Sequence, residues 1–181
     1  MNAPILAPAA ILILWSLIML VWMVATRLPA LPKAGLDLSG AGGRGQDIDP
    51  QLPPIAAWKS HNYAHLMEQP TLFYAVVVLL TLAGQGDGLN AQLAWAYVGI
   101  RIVHSLWQAL VNTIPLRFGL FVLSTLRLFA LSLQLVMAIC YNIRQQYASR
   151  GCAQQNAKCA VAEVAGASTS GTPALVQLSS N

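Results

Sequence analysis

The segment Arg101-Ile-Val-His-Ser-Leu-Trp-Gln-Ala-Leu-Val-Asn112 is apolar except along one line: Arg101, His104, Gln108 and Asn112 recur at intervals of three and four. Residues at those spacings share a face of an α-helix. The segment is therefore a hydrophobic helix with a polar stripe that carries a permanent charge. A charged side chain in hydrocarbon costs several kcal/mol, so it is expected to face a protein interior and to have a partner there.

The surrounding composition calls for the same medium. Of 181 residues, 56% are hydrophobic and 9% charged, against about 25% charged in a soluble domain. Apolar runs long enough to cross a bilayer, about 17–25 residues as a helix, occur at 5–26, 66–83, 91–114 and 118–143. The expected fold is an all-α membrane protein, a four-transmembrane-helix up-down bundle over residues 1–148. The remainder, 149–181, is rich in Ala, Ser, Gly, Thr and Gln without periodicity, and is expected to be disordered because it buries too little to offset its ordering entropy. The first run has no preceding Lys or Arg and outlasts the apolar core of a signal peptide, so it is expected to be retained. Trp15 and Trp22 within it lie seven apart and suit helix packing.

The loops add punctuation. Leu36 to Pro54 is rich in Gly, Asp and Pro; its Gly40-Ala-Gly-Gly-Arg-Gly45 matches a dinucleotide-binding pattern in form alone, since neither a preceding strand nor a following helix is present. Ile55 to Met67 reads as helix continuing into the second span. Gly84, Gly86 and Gly88 mark one tight turn, and Thr113 to Leu116, with Pro115, a second. The net charge of +4 comes from scattered basic residues, which excludes a nucleic-acid surface and reports topology instead. Arg27, Lys33, Arg44, Lys59 and Arg117 fall on one side, which places both termini outside the cytoplasm. Cys140 is expected to pack within the fourth span. Cys152 and Cys159 are expected either to form a disulfide or to remain free.

Two further polar stripes face the first. Trp58, His61, His65 and Glu68 share a side of the second helix, and Arg117, Ser124 and Arg127 lie within reach of one side of the fourth. At about 1.5 Å per residue the three stripes overlap in height and suit one polar cavity open to the cytoplasm. Glu68, the sole acid within a span, is expected to pair with Arg101; the surplus of cations favours an anionic ligand. His61, His65 and Glu68 form a possible set of metal ligands, but three histidines in the whole chain are too few for a membrane di-iron centre, and no metal is expected.

The segment His65-Leu-Met-Glu-Gln-Pro-Thr-Leu-Phe73 resembles the second-helix motif of the MAPEG family, the membrane-associated proteins of eicosanoid and glutathione metabolism. Arg101-Ile-Val-His104, with Asn112 and Pro115-Leu-Arg117, resembles that family's third helix and the turn into its fourth. The resemblance covers about residues 5–145 and is closest to a bacterial-type member. It implies a homotrimer in a bacterial inner membrane, with glutathione as co-substrate bound at subunit interfaces near the cytoplasmic side, and a lipophilic electrophile or hydroperoxide as second substrate. By that resemblance Arg117 would stabilise the glutathione thiolate. Glu68 would hold the glutathione amino group and pair with Arg101, while His104 would face the cavity. His65 stands where the family often has Asn, His61 and Ala64 where it has arginines, and Gln108 where it has Tyr. The carboxylate and thiol contacts are altered accordingly, with Asn62 and His65 as the available substitutes. The implied activity is that of a glutathione transferase or peroxidase; the alternative is a non-catalytic lipid-binding membrane protein.

Overall fold

A computed structural model describes residues 3–36 and 45–169. Its described elements are α1 (Leu6–Arg27), a short α2 (Ala30–Lys33), a 3₁₀ turn (Gly45–Gln51), α3 (Pro54–Leu82), α4 (Gly88–Leu110) and α5 (Ile114–Thr169). Three helical segments, Leu6–Lys33, Pro54–Leu82 and Ile114–Gly151, are long and apolar enough to cross a membrane. The 23-residue α4 is long enough as well, but Asn90, Gln92, Arg101, His104 and Gln108 dilute its apolar character.

The helix ends follow local chemistry. Pro54 sits in the first turn of α3, where a missing N–H leaves no bond unmade. Gly84 adopts φ +72° just beyond α3, and the amides of Gly84 and Gln85 donate to the carbonyls of Thr81 and Leu80 at 3.1 and 2.9 Å. That pairing is a Schellman stop, which asks for a residue without a Cβ penalty. The α4–α5 turn lies slightly earlier than the sequence suggests. Pro115 belongs to the first turn of α5 rather than to the loop, and Asn112 takes the left-handed conformation at φ +55°, which a short polar side chain tolerates.

In the unit formed by residues 1–138, α1, α3 and α4 pack against one another. Fully buried positions recur every seven residues: Ile5 at the N-cap of α1, then Leu12 and Met19 on α1; Leu66, Phe73 and Leu80 on α3; Ala94, Arg101 and Gln108 on α4. A seven-residue period is that of knobs-into-holes packing between nearly parallel or antiparallel helices. Phe73 and Tyr97 stack at 4.4 Å between ring centroids. The helix α5 touches this core along a narrow stripe. Ser124, Leu128, Leu131 and Leu135 are buried, Gln69 donates to Thr125 Oγ1 at 2.7 Å, and Ser124 Oγ donates to Gln69 Oε1 at 3.3 Å.

Of the second unit, residues 139–181, the described part is helical where the sequence suggests an unstructured tail. The helix continues to Thr169, and its recurrent alanines, at 153, 157, 160, 162, 165 and 167, supply helix propensity without any need for an amphipathic face. Residues 170–181 lie outside the described residues, as do the side chains of Cys152 and Cys159. Cys140 is free and exposed rather than packed.

One polar knot joins the three packed helices. Ser105 Oγ on α4 accepts from Trp15 Nε1 on α1 at 3.1 Å and from Asn62 Nδ2 on α3 at 2.9 Å. Replacing Ser105 with Ala strands both donors, and interhelical hydrogen bonds in membranes are worth about 0.6–2 kcal/mol. Ser105→Ala should lower the unfolding midpoint of the detergent-solubilised protein by several degrees; an unchanged midpoint would show that the knot contributes nothing.

Candidate functional site

The polar stripe of α4 occupies the centre of the bundle. Arg101, His104 and Gln108 are buried, as are Ser105 on the same helix and Asn62 on α3. The guanidinium of Arg101 donates from Nη2 to the main-chain carbonyl of His65 at 2.7 Å. Its Nε and Nη1, both amide atoms of Gln108, and Asn62 Oδ1 have no hydrogen-bond partner among the described residues. His104 meets His65 edge-on, with ring centroids 6.3 Å apart. These positions follow from the seven-residue seam: Arg101 and Gln108 hold places that a leucine would fill in an ordinary bundle.

The stripe of α3 divides differently. Asn62 turns inward, whereas Glu68 is 69% exposed on the subunit and pairs with its own-helix neighbour, His65 Nδ1, at 3.2 Å. The expected Glu68–Arg101 pair is therefore replaced. Arg101 stays within electrostatic reach of Glu68, but its contact is with the α3 main chain one turn earlier. The physical reason is local. An i,i+3 partner needs little additional ordering, and an outward carboxylate avoids the desolvation that a buried ion pair must repay. His61 also turns out of the bundle, toward Asp49 Oδ2 at 3.3 Å.

Asp49 anchors the loop that precedes α3. It is 4% exposed and is paired with Arg27 at the end of α1, while Arg27 also donates to Ser60 Oγ at 2.8 Å. The 3₁₀ turn is thereby fastened to both α1 and α3. Beside this clamp lies a cavity of about 440 Å³ lined by Met23, Arg27, Gln46, Ser60, Tyr63 and Met67, among others. Lys59 is buried on the neighbouring face of α3, with its ammonium bonded to the Ile55 carbonyl at 3.0 Å and placed 5.0 Å over the Trp22 ring.

Arg117 stands half-buried in the first turn of α5. The left-handed Asn112 turns its side chain back so that Oδ1 accepts from Arg117 Nη1 at 2.7 Å, and Trp107 Nε1 donates to Thr113 Oγ1 at 2.9 Å across the same turn. His104 lies one turn from Arg101 on α4 and meets His65 across the α3 contact. The arrangement thus gathers a buried line of polar groups from Gln108 to Arg101, with Arg101 as its one cation, and holds Arg117 in a fixed place at the start of α5. No three His, Cys, Asp or Glu side chains cluster as a metal site among the described residues.

The model of the MAPEG family matches residues 5–137. The chain belongs to the MAPEG family. No curated protein and no solved structure matches it. The MAPEG match takes in α1 to α4 and the part of α5 that touches the core, and it includes every site residue named in this subsection. Sequence reasoning passed over three participants in this MAPEG protein. Ser105 is a small hydroxyl in an apolar run, and its i+4 relation to Arg101 was the available signal. Trp15 was read as plain packing. Asp49 sits in a Gly- and Pro-rich loop, where nothing in the sequence marks one acid as buried.

The clamp makes a direct prediction. Asp49→Ala should raise amide hydrogen exchange across residues 45–51 about tenfold or more, the loss of one partly buried charged contact, while α4 keeps its protection. Unchanged exchange in that turn would show that Arg27 and His61 do not hold it.

Proposed function

We propose that this chain is a multi-pass membrane protein that binds glutathione and delivers its thiolate to lipophilic electrophiles, with Arg117 as the catalytic cation. The observation that carries this reading is the fixing of Arg117 by Asn112 on the turn that follows a stripe of unpartnered polar groups that includes Arg101. Glutathione presents two carboxylates, an ammonium and a thiol. The outward carboxylate of Glu68 suits the ammonium and the half-exposed imidazoles of His65 and His61 the carboxylates, while Arg101, His104, Gln108 and Asn62 form the buried polar wall behind them. A cation beside a thiol lowers its pKa and raises the thiolate fraction. With a chlorinated nitrobenzene, the thiolate sulfur bonds to the ring carbon, chloride leaves, and the thiol proton passes to solvent.

The same reading takes α4 as a fourth span. Its 23 residues reach about 35 Å as a helix, more than the roughly 30 Å hydrocarbon core, and its charge faces inward. A homotrimer, an inner-membrane location and extracytoplasmic termini belong to this proposal. The division of the α3 stripe into inward Asn62 and outward Glu68 supports a ligand bound where a second subunit meets α3. Two observations favour a non-catalytic lipid-binding role instead: Glu68 is engaged by His65, and the amide of Gln108 is closed within the bundle.

Calorimetric titration of the purified protein with glutathione, followed by a conjugation assay, separates the two. Saturable binding with turnover is expected, and Arg117→Ala should lower turnover about 10²-fold, as removal of one preorganised electrostatic donor does. Wild-type rates in that variant would remove Arg117 from the mechanism; absence of glutathione binding would favour the lipid-binding role.

A further inference from the structure

Arg127 lies in the apolar stretch of α5 and is exposed on the subunit, flanked by exposed Leu126 and Phe129. It stands thirteen residues after the helix start at Ile114, about 20 Å along the axis, which is well inside a hydrocarbon core of about 30 Å. A guanidinium facing lipid there is strongly disfavoured on its own and is stabilised by a counter-charge. None of the ion pairs among the described residues involves Arg127.

Glu68 presents the complementary problem on α3. Its carboxylate is 69% exposed, its intrachain partner His65 carries charge only when protonated, and exposed Met67 and Leu72 flank it. No other Asp or Glu occurs in residues 6–33, 54–82, 88–110 or 114–151. The hydrogen bonds from Gln69 to Thr125 and from Ser124 to Gln69 fix the relative height of the two helices. Glu68 and Arg127 therefore lie within about one helical turn, roughly 5 Å, of the same depth. They do not pair within one chain, so the acid available to Arg127 at its own depth is Glu68 of another copy.

We propose that Arg127 of one subunit pairs with Glu68 of the next, so that the outer face of α5 in each copy docks on the α3 face of its neighbour. Every copy offers one cation and one anion on different faces, which makes a head-to-tail contact of the kind that closes into a ring. Glu68 then accepts from His65 at one oxygen and from the neighbouring guanidinium at the other, which leaves lone pairs on both for a ligand ammonium, and the α3 edge of the site is complete only in the assembly. This inference rests on the membrane-embedded reading above but not on glutathione turnover.

The test uses the full chain in detergent or lipid nanodiscs, with assembly read by light scattering. Glu68→Lys and Arg127→Glu should each reduce the assembled fraction about tenfold or more, and the combined exchange should restore it to within about twofold, since complementary charge is re-created. Unimpaired assembly in both single variants, or a combined variant no better than the worse single one, overturns the pairing. A variant that fails to insert is bypassed by a second measurement. With Cys140, Cys152 and Cys159 replaced by Ser, Glu68→Cys and Arg127→Cys in one chain should give covalent oligomers with a bis-maleimide of about 10 Å span in native membranes, because the backbones of a long ion pair stand beyond the ~7 Å reach of a disulfide, and neither alone should. Absence of that ladder overturns the proposal. Glutathione calorimetry on the parent protein is read separately. Assembly through this pair without glutathione binding would sink the functional reading alone, and binding with assembly indifferent to both charges would sink the pairing alone.

Discussion

The bundle depends on hydrogen bonds that cross between helices where no water is available to replace them. Ser105 accepts from Trp15 and from Asn62, and Arg101 reaches the main chain of α3 at His65. Lipid tails are as apolar as leucine, so hydrophobic burial alone gives membrane helices little reason to choose one another; packing and interhelical hydrogen bonds do that work. The seven-residue seams on α1, α3 and α4 supply the packing, and the polar knot at Ser105 sets which faces meet and at what height.

The same seam carries the polar stripe. Arg101 and Gln108 take positions that packing alone would give to aliphatic side chains, and they bring unpartnered donors into the interior. A polar residue at one seam position can fix register at some loss of stability, and that role accounts for part of this stripe. It does not account for Arg117, which lies outside the seam at the mouth of α5 and is held by a left-handed asparagine. Backbone conformations of that kind are retained where a side chain has to be aimed. On the opposite edge, the Arg27–Asp49–Ser60 clamp pins the connecting loop against α1 and α3, beside the 440 Å³ cavity.

Much of this could be read from the amino-acid order because helices in an apolar medium have few alternatives. The start of α1, the fusion of residues 55–67 with the second apolar run and the glycine stop after Leu82 all follow from hydropathy and turn chemistry. Spacing also put Arg101, His104 and Gln108 on one face. What spacing could not reveal was direction within the bundle. Glu68 shares a helical face with His65, and nothing in a linear pattern says whether that face turns toward α4 or away from it. The helical course of α5 beyond residue 149 was hidden because its alanines favour helix without any amphipathic signature. Asp49 was hidden for the opposite reason: its burial comes from a loop folding back onto Arg27, a long-range contact with no local trace.

Arg117 is the residue on which the functional account turns, and the most direct test is to see what it touches. A structure of the protein in lipid nanodiscs with reduced glutathione should show the ligand sulfur against the Arg117 guanidinium, with the rest of the tripeptide running toward Arg101 and Glu68. Glutathione seated elsewhere, for example in the cavity beside Arg27, with Arg117 still bound to Asn112 alone, would contradict the account.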